Sequence, residues 1–237
     1  MARIYKETRL DLPPCSPSSV VNIQVPESNV IGSTQRRARF FDPSFAFGPS
    51  SAGKDVPVAK DEEEFSRRYA TSHGSVYFRK RSVYPRTFLW RVFDENKILE
   101  IQCADLVKGG AERFEYNVVL RFEFPEEILP FAVSLADFEN RDDELHVFVI
   151  TASNELYTLT LRLEFFRRSG AIGEKGSEWC KSSVPAPLAF SHPHRLHASS
   201  PLELFVSLNS GSLLRLTRRI GDDGRLYTSP TVCGNNC

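Results

Sequence analysis

The chain has 237 residues, of which 41 % are hydrophobic and 25 % charged, so it can bury one substantial core. Its 30 basic residues balance 30 acidic ones, and the chain lacks the net positive charge of a typical nucleic-acid or anionic-membrane binder. No run reaches the roughly 18 apolar residues of a transmembrane segment, and residues 1–20 lack a secretory signal, so we expect a soluble intracellular chain with reduced cysteines.

The first part of the chain contains one predicted strand. Apolar and polar residues alternate in VVNIQVP, which predicts a strand that begins at Val20. Residues 31–72 are rich in Ser, Pro, Gly and charge and have no sustained period, so we predict a disordered insertion there.

From Gly74 onwards, short segments rich in β-branched and aromatic residues alternate with turn-forming residues. Strands are predicted in SVYFRKR, TFLWRVF, KILEIQC, NVVLRFEF, FAVSLA, LHVFVIT, ELYTLTLR, PLAF, HRLHA, LELFVSL and SLLRLTRR. Residues 167–187 are predicted to be irregular, and LRLEFFRR is compatible with either a helical turn or a continued strand. No segment of helical length has a clean apolar stripe, which indicates an all-β fold.

One strand–turn–strand unit occurs three times. Phe148 follows Trp90 by 58 residues and precedes Phe205 by 57. At these spacings three turn residues align, and two apolar positions of the following strand align as well. The aligned turn residues are Asn96, Asn154 and Gly211, and the apolar positions are Ile98, Leu156 and Leu213, then Ile101, Leu159 and Leu216. Asn and Gly tolerate the positive φ that a tight hairpin requires, so these residues are predicted to close three hairpins.

Units of about four strands at near-constant spacing predict a β-propeller with long irregular loops. An immunoglobulin-like sandwich is the alternative, although it does not require equal spacing. Three blades of antiparallel strands do not close a ring, because propellers need about 4–8 blades. We therefore expect residues 1–237 to be the N-terminal part of an incomplete propeller, truncated near its end, with residues 228–237 as a frayed or non-native tail. Uncovered terminal blades would make such a chain prone to aggregation.

Few residues have the spacing of a chemical site. His192, His194 and His197 lie close together in sequence, but nothing near them completes a metal site. Cys233 and Cys237 form one C-x3-C pair, which is half of a zinc site at most. Both groups are predicted to be structural or terminal residues rather than ligands.

The carboxylate pairs Asp142–Asp143 and Asp222–Asp223 are predicted to lie in solvated turns, with no acid–base partner. Nucleotide-binding and hydrolase motifs are absent from the sequence. We therefore predict no catalytic, cofactor-binding or metal-binding residues, no small-molecule substrate and no enzymatic activity.

Two basic-aromatic stretches, Tyr77–Arg86 and Arg215–Arg219, have residues that can stack on bases and bind phosphate. Exposed strands with alternating arginines have the same composition, and the net charge is zero. Direct nucleic-acid binding is therefore not predicted, and a propeller module that binds peptide or RNA is the alternative to a structural role.

Several strings in the sequence resemble a known family. YKETRLDLPPCSPSSVVNIQVP, GSVYFRKRSVYPRTFLWRVFDENKILEI and LADFENRDDELHVFVITASNELYTLTLR are similar to the N-terminal part of fungal members of a large scaffold nucleoporin family. The resemblance covers most of residues 3–226. It implies a β-propeller that is followed, in the family, by a long α-helical domain.

The resemblance also implies a function. Members of this family are structural and occupy a short arm of the Y-shaped outer-ring complex of the nuclear pore, where they support RNA and protein transport. We expect localisation at the nuclear envelope and partners among the other subunits of that complex; a peptide- or RNA-binding module outside the pore is the alternative. The family has no catalytic residues to transfer. The sequence departs from the family pattern because it has no helical domain and ends in TVCGNNC.

Overall fold

The computed structural model describes residues 20–27, 70–77, 87–104, 118–138, 141–167, 179–183, 192–220 and 226–232, together with Ile172 and Leu188. The elements assigned in these ranges are thirteen strands and one 3-10 turn. The strands are β1 Val20–Gln24, β2 Ser72–Tyr77, β3 Thr87–Phe93, β4 Ile98–Ala104, β5 Val119–Glu123, β6 Ile128–Phe138, β7 Arg141–Thr151, β8 Leu156–Arg162, β9 Cys180–Ser183, β10 Pro193–Ser200, β11 Glu203–Leu208, β12 Leu213–Ile220 and β13 Leu226–Val232, and the 3-10 turn is Leu163–Phe166.

The strands form three sheets in chain order. The first sheet is the antiparallel meander β2-β3-β4-β5, with β1 added in parallel on the free edge of β5. The middle sheet is β6-β7-β8-β9, and the third sheet is β10-β11-β12-β13, both antiparallel. Each sheet thus takes its strands from one continuous part of the chain, apart from β1.

Two hydrophobic clusters join the sheets. One lies between the first and middle sheets, and the other lies between the middle and third sheets. On β7, Val147 and Val149 belong to the first cluster, whereas Phe148 and Ile150 belong to the second. Because successive side chains of a strand point to opposite faces, a strand covered on both sides needs a continuous apolar run. This requirement explains why apolar and polar residues do not alternate regularly in LHVFVI.

The first strands of neighbouring sheets lie against each other. Strand β6 contacts β10, and the backbone N–H of Ala198 donates to Ser134 Oγ at 2.9 Å. Stacked four-stranded meanders whose first strands meet are the arrangement of neighbouring propeller blades. The fold class is therefore confirmed as an all-β, incomplete propeller, and the three described sheets form an open stack rather than a closed ring.

The structure confirms the three predicted hairpins. They are β3–β4, β7–β8 and β11–β12, each paired in antiparallel register. The aligned turn residues all have positive φ, at 62° for Asn96, 65° for Asn154 and 84° for Gly211. The 57- to 58-residue repeat therefore places a positive-φ residue at the equivalent position of each hairpin turn, although the first turn also has positive φ at Asp94 and Glu95.

The sequence-based prediction is corrected at three places. Strand β9 lies in the stretch that was predicted to be irregular, where it pairs with the edge of β8. Residues 228–232 are not a frayed tail, because they belong to β13 and pair with β12. Leu188, from the predicted strand PLAF, is in helical conformation. The predicted insertion at 31–72 lies mostly outside the described residues, and its last residue, Ser72, begins β2.

Candidate interaction surfaces

The stacking of the sheets leaves two sheet faces uncovered among the described residues. The middle sheet is packed on both sides, whereas the first and third sheets are each packed on one side only. A further blade or a partner subunit that packs on this stack would therefore meet the outer face of the first sheet or of the third sheet.

The outer face of the first sheet carries a charged network. Strand register places Arg91 and Arg121 on either side of Glu100. Each arginine donates its Nε–H to a different oxygen of the Glu100 carboxylate, and both N–O distances are 2.7 Å. The two guanidinium carbons also lie 5.0 and 5.6 Å from the centre of the Phe93 ring. Two cations share one carboxylate here, so the network has a net positive charge.

A groove of about 550 Å³ runs beside this network. Its lining combines the charged groups with apolar side chains of three strands, among them Val20, Leu89 and Val119. The surface is thus mixed in character, which is compatible with packing against another protein surface.

The outer face of the third sheet carries an ion pair between Arg215 and Glu203. Ser199 Oγ also donates to the Glu203 carboxylate, at 2.9 Å. The Ser199 hydrogen bond and, after it, the Arg215 guanidinium lower the pKa of Glu203 below its usual range. Nearby Leu213 is 49 % exposed, so this face also presents apolar surface.

Arg218 lies three residues after Arg215 on β12, and its side chain points to the opposite face of the sheet. Its side chain is buried between the middle and third sheets, where Nη1 donates to the Pro201 carbonyl at 2.9 Å. The guanidinium carbon lies 5.1 Å from the centre of the Phe148 ring, and burial lowers the Arg218 pKa to about 10. The predicted basic stretch Arg215–Arg219 is therefore not one exposed basic surface, because one arginine is ion-paired and another is buried.

The three clustered histidines lie on β10 or next to it, and all three are exposed. Cys103 and Cys180 are buried in the first hydrophobic cluster, and neither forms a disulfide within the described part of the chain. Burial raises the pKa of the Cys180 thiol to about 12. Among the residues that the structure describes, no three His, Cys, Asp or Glu side chains converge as metal ligands would.

Other candidates from the sequence are only partly described. Asp142 and Asp143 lie in strand β7 rather than in a turn, which corrects the prediction for this pair. The pair Asp222–Asp223, the pair Cys233 and Cys237, and all of Tyr77–Arg86 after Tyr77 lie outside the described residues. Within the described ranges, no helix has the length and apolar character to cross a bilayer.

One exposed group was missed by the sequence analysis. Phe131, in β6, is 52 % exposed and has a positive φ of 56°. The Arg195 guanidinium carbon lies 5.4 Å from the centre of its ring, and the His194 ring centre lies 6.3 Å away. We call Phe131, His194 and Arg195 the Phe131 cluster.

Two comparisons with known proteins agree on a family. The family model described as "Nucleoporin Nup120/160, beta-propeller domain" matches residues 86–231. Nucleoporin NUP120 of Chaetomium thermophilum is 34 % identical to this chain over 215 residues, which are 91 % of this chain and 16 % of that protein. The chain thus spans about a sixth of the length of this relative. The residues matched by the family model include β3 to β12, which contain all three repeated hairpins.

Proposed function

The chain belongs to the Nup120/160 β-propeller family of nucleoporins, and from this membership we propose that it is a structural component of the nuclear pore complex. It corresponds to the N-terminal propeller region of a Nup120-type nucleoporin. The observation that carries the proposal is the family match over residues 86–231, which coincides with the stacked blades.

We infer that its partners are other subunits of the Y-shaped outer-ring complex and that it acts at the nuclear envelope in support of RNA and protein transport. The two uncovered sheet faces support this role, because their mixed polar and apolar composition is typical of protein–protein contacts. We also propose that residues 1–237 are one propeller region, with an insertion between β1 and β2, and that it has no enzymatic activity.

A peptide- or RNA-binding module outside the pore is not favoured. That function would use the arginines of β12, but Arg215 is paired with Glu203 and Arg218 is buried. Nucleic-acid binding draws mainly on free cationic groups that neutralise phosphates. The described part of β12 therefore supplies little of what this function needs.

The proposal can be tested in cells with the natural full-length gene product. A fluorescent fusion at the endogenous locus is expected to stain the nuclear rim in the punctate pattern of pores. Affinity purification with cross-linking should recover outer-ring subunits, with cross-links from lysines of the propeller region. A diffuse cytoplasmic or nucleoplasmic signal, with no outer-ring subunit recovered, would contradict the proposal.

A further inference from the structure

Two irregularities of strand pairing, which we call bulges, occur side by side on the first strands of the middle and third sheets. Between the paired residues Ile128↔Thr151 and Val133↔Val149, β6 advances five residues while β7 advances two. Between Pro193↔Leu208 and Arg195↔Ser207, β10 has one extra residue, His194. Bulges redirect side chains away from the regular alternation of a strand and are enriched at functional sites.

Both bulges contain or begin at a proline. Pro130 precedes Phe131 in β6, and Pro193 precedes His194 in β10. Proline cannot donate a ladder hydrogen bond, so within sheets it is confined to edges, strand starts and bulges. The two prolines therefore mark backbone irregularities on neighbouring strands, and the Phe131 cluster lies where these irregularities meet.

Phe131 occupies an unfavourable conformation without burying its ring. Its φ of 56° lies in the left-handed region, which bulky side chains rarely adopt. Its side chain is also 52 % exposed, so the ring gains only part of the burial that a core phenylalanine obtains. Residues held in such conformations persist only where the surroundings impose them, and they concentrate at functional sites.

Unlike Arg218, which also lies over an aromatic ring but is buried, Arg195 is exposed. It lies over the Phe131 ring, and no carboxylate of the described residues pairs with it. Arg91, Arg121, Arg162 and Arg215, in contrast, each pair with a carboxylate. A guanidinium held against an aromatic ring keeps its planar set of N–H donors available, and that set matches a carboxylate in bidentate geometry.

From these observations we propose that the Phe131 cluster is a docking site for an acidic segment of a partner protein. A carboxylate of the segment pairs with Arg195, and an apolar side chain next to it packs on the exposed Phe131 ring. A protein is favoured over RNA because the chain has zero net charge and the cluster offers a single arginine. This site goes beyond the scaffold role and does not rest on it.

The test measures binding by fluorescence anisotropy with the 237-residue chain and three labelled probes. The first probe is a ten-residue peptide of Asp and Glu with one central Phe. The second probe replaces its acidic residues with Lys, and the third is a decauridylate. We expect the acidic peptide alone to bind, and Phe131→Gly and Arg195→Gln each to weaken its binding by about tenfold, as loss of a central contact does.

The variants are chosen so that folding does not obscure the result. Glycine adopts positive φ without cost, so Phe131→Gly removes the ring and should leave the melting temperature unchanged or higher. Arg162→Gln and Leu213→Ala are the controls, because Arg162 is an exposed arginine and Leu213 is an exposed large apolar residue, and both lie outside the cluster. Both controls should bind the acidic peptide like the parent chain.

A charge reversal gives a gain of function that loss of structure cannot mimic. Arg195→Glu is expected to abolish binding of the acidic peptide and to create binding of the lysine peptide. The proposal is overturned if the acidic peptide does not bind, if it binds Phe131→Gly and Arg195→Gln as tightly as the parent, or if decauridylate is the probe that depends on these residues. The cellular localisation test bears on the scaffold function alone, so the two proposals can fail independently.

Discussion

Asn154 combines a backbone role and a side-chain role at the turn between β7 and β8. It is fully buried, its φ is 65°, and its Nδ2 donates to the Leu188 carbonyl at 2.5 Å. Replacing Asn154 with Ala removes this donor and leaves a buried carbonyl unsatisfied, which costs about 1–3 kcal/mol. The left-handed backbone costs a further 1–2 kcal/mol, roughly, for a residue other than Gly, Asn or Asp. We therefore expect Asn154→Ala to lower the free energy of unfolding by about 3 kcal/mol.

Asn154→Gly separates the two contributions. Glycine accepts the positive φ but cannot donate to Leu188, so the expected loss is about 1–2 kcal/mol. Asn154→Asp keeps the backbone tolerance but places an acceptor-only carboxylate against a carbonyl oxygen, and we expect it to be the most damaging of the three. The difference between the Ala and Gly variants measures the cost of positive φ for alanine, less the larger entropy that glycine loses on folding.

The assay is urea unfolding, followed by tryptophan fluorescence and far-UV circular dichroism. Asn96→Ala is the matched control, because Asn96 has a φ of 62° at the equivalent turn but is only half-buried. We expect it to cost less than Asn154→Ala by about 1 kcal/mol or more. The reasoning is refuted if Asn154→Ala costs no more than Asn96→Ala, or if the Ala and Gly variants at position 154 unfold at the same urea concentration.

Three further predictions use the same unfolding assay. A Cβ on Gly74 would lie 2.7 Å from Trp90 Cζ2, so Gly74→Ala should destabilise the chain by about 1–3 kcal/mol, and by less in a Trp90→Leu background. Burial raises the pKa of the Cys180 thiol from 9.0 to about 12, so the neutral thiol stabilises the fold fully below pH 9 and this contribution is lost as pH rises towards 12. Between pH 8 and 10.5 the free energy of unfolding of the parent should therefore fall by about 2 kcal/mol more than that of Cys180→Ala. An equal fall in both proteins would contradict the assignment. Glu100→Gln should lower the free energy of unfolding by about 1 kcal/mol, because the two arginine partners of Glu100 are partly exposed. This loss should be smaller at high salt, and a loss that does not depend on salt would exclude a Coulombic origin.

The hairpins of the blades could be predicted because their signals are local. A tight turn needs positive φ within one or two residues, and Asn and Gly at positions 96, 154 and 211 supply it. The aligned apolar positions after each turn lie three residues apart, so strand alternation places them on opposite faces: Leu156 belongs to the second cluster and Leu159 to the first. Because the same hairpin recurs at near-constant spacing, three segments that are ambiguous on their own together predict a propeller.

The two missed strands lack such signals. Strand β9 has the sequence CKSS, and its residues are strand-like only because the edge of β8 offers hydrogen-bonding partners. Strand β13 contains Pro230, which is compatible with a strand at the edge of a sheet. Edge strands bury less side-chain surface, so their sequences carry less apolar pattern than central strands do.

Neither candidate surface could be assembled from sequence alone. The pairing of Arg91 and Arg121 with Glu100 depends on the register of three strands, which no single segment encodes. The Phe131 cluster depends on two bulges in strands whose sequences are more than 60 residues apart. The prolines at 130 and 193 were the available signal, because proline inside a strand pattern indicates a bulge or an edge.

The blade architecture and the Phe131 cluster use separate sets of residues. Residues of both the repeated hairpins and the first strands pack the sheets together, but Phe131 and Arg195 belong to neither hydrophobic cluster. Substitutions in the cluster can therefore alter binding while the sheets stay stacked, because no core contact is removed. In a scaffold protein of this kind, substitutions at the bulges can alter which partner is bound while the packing of the blades stays the same. The two prolines thereby contribute to partner binding as well as to local backbone geometry.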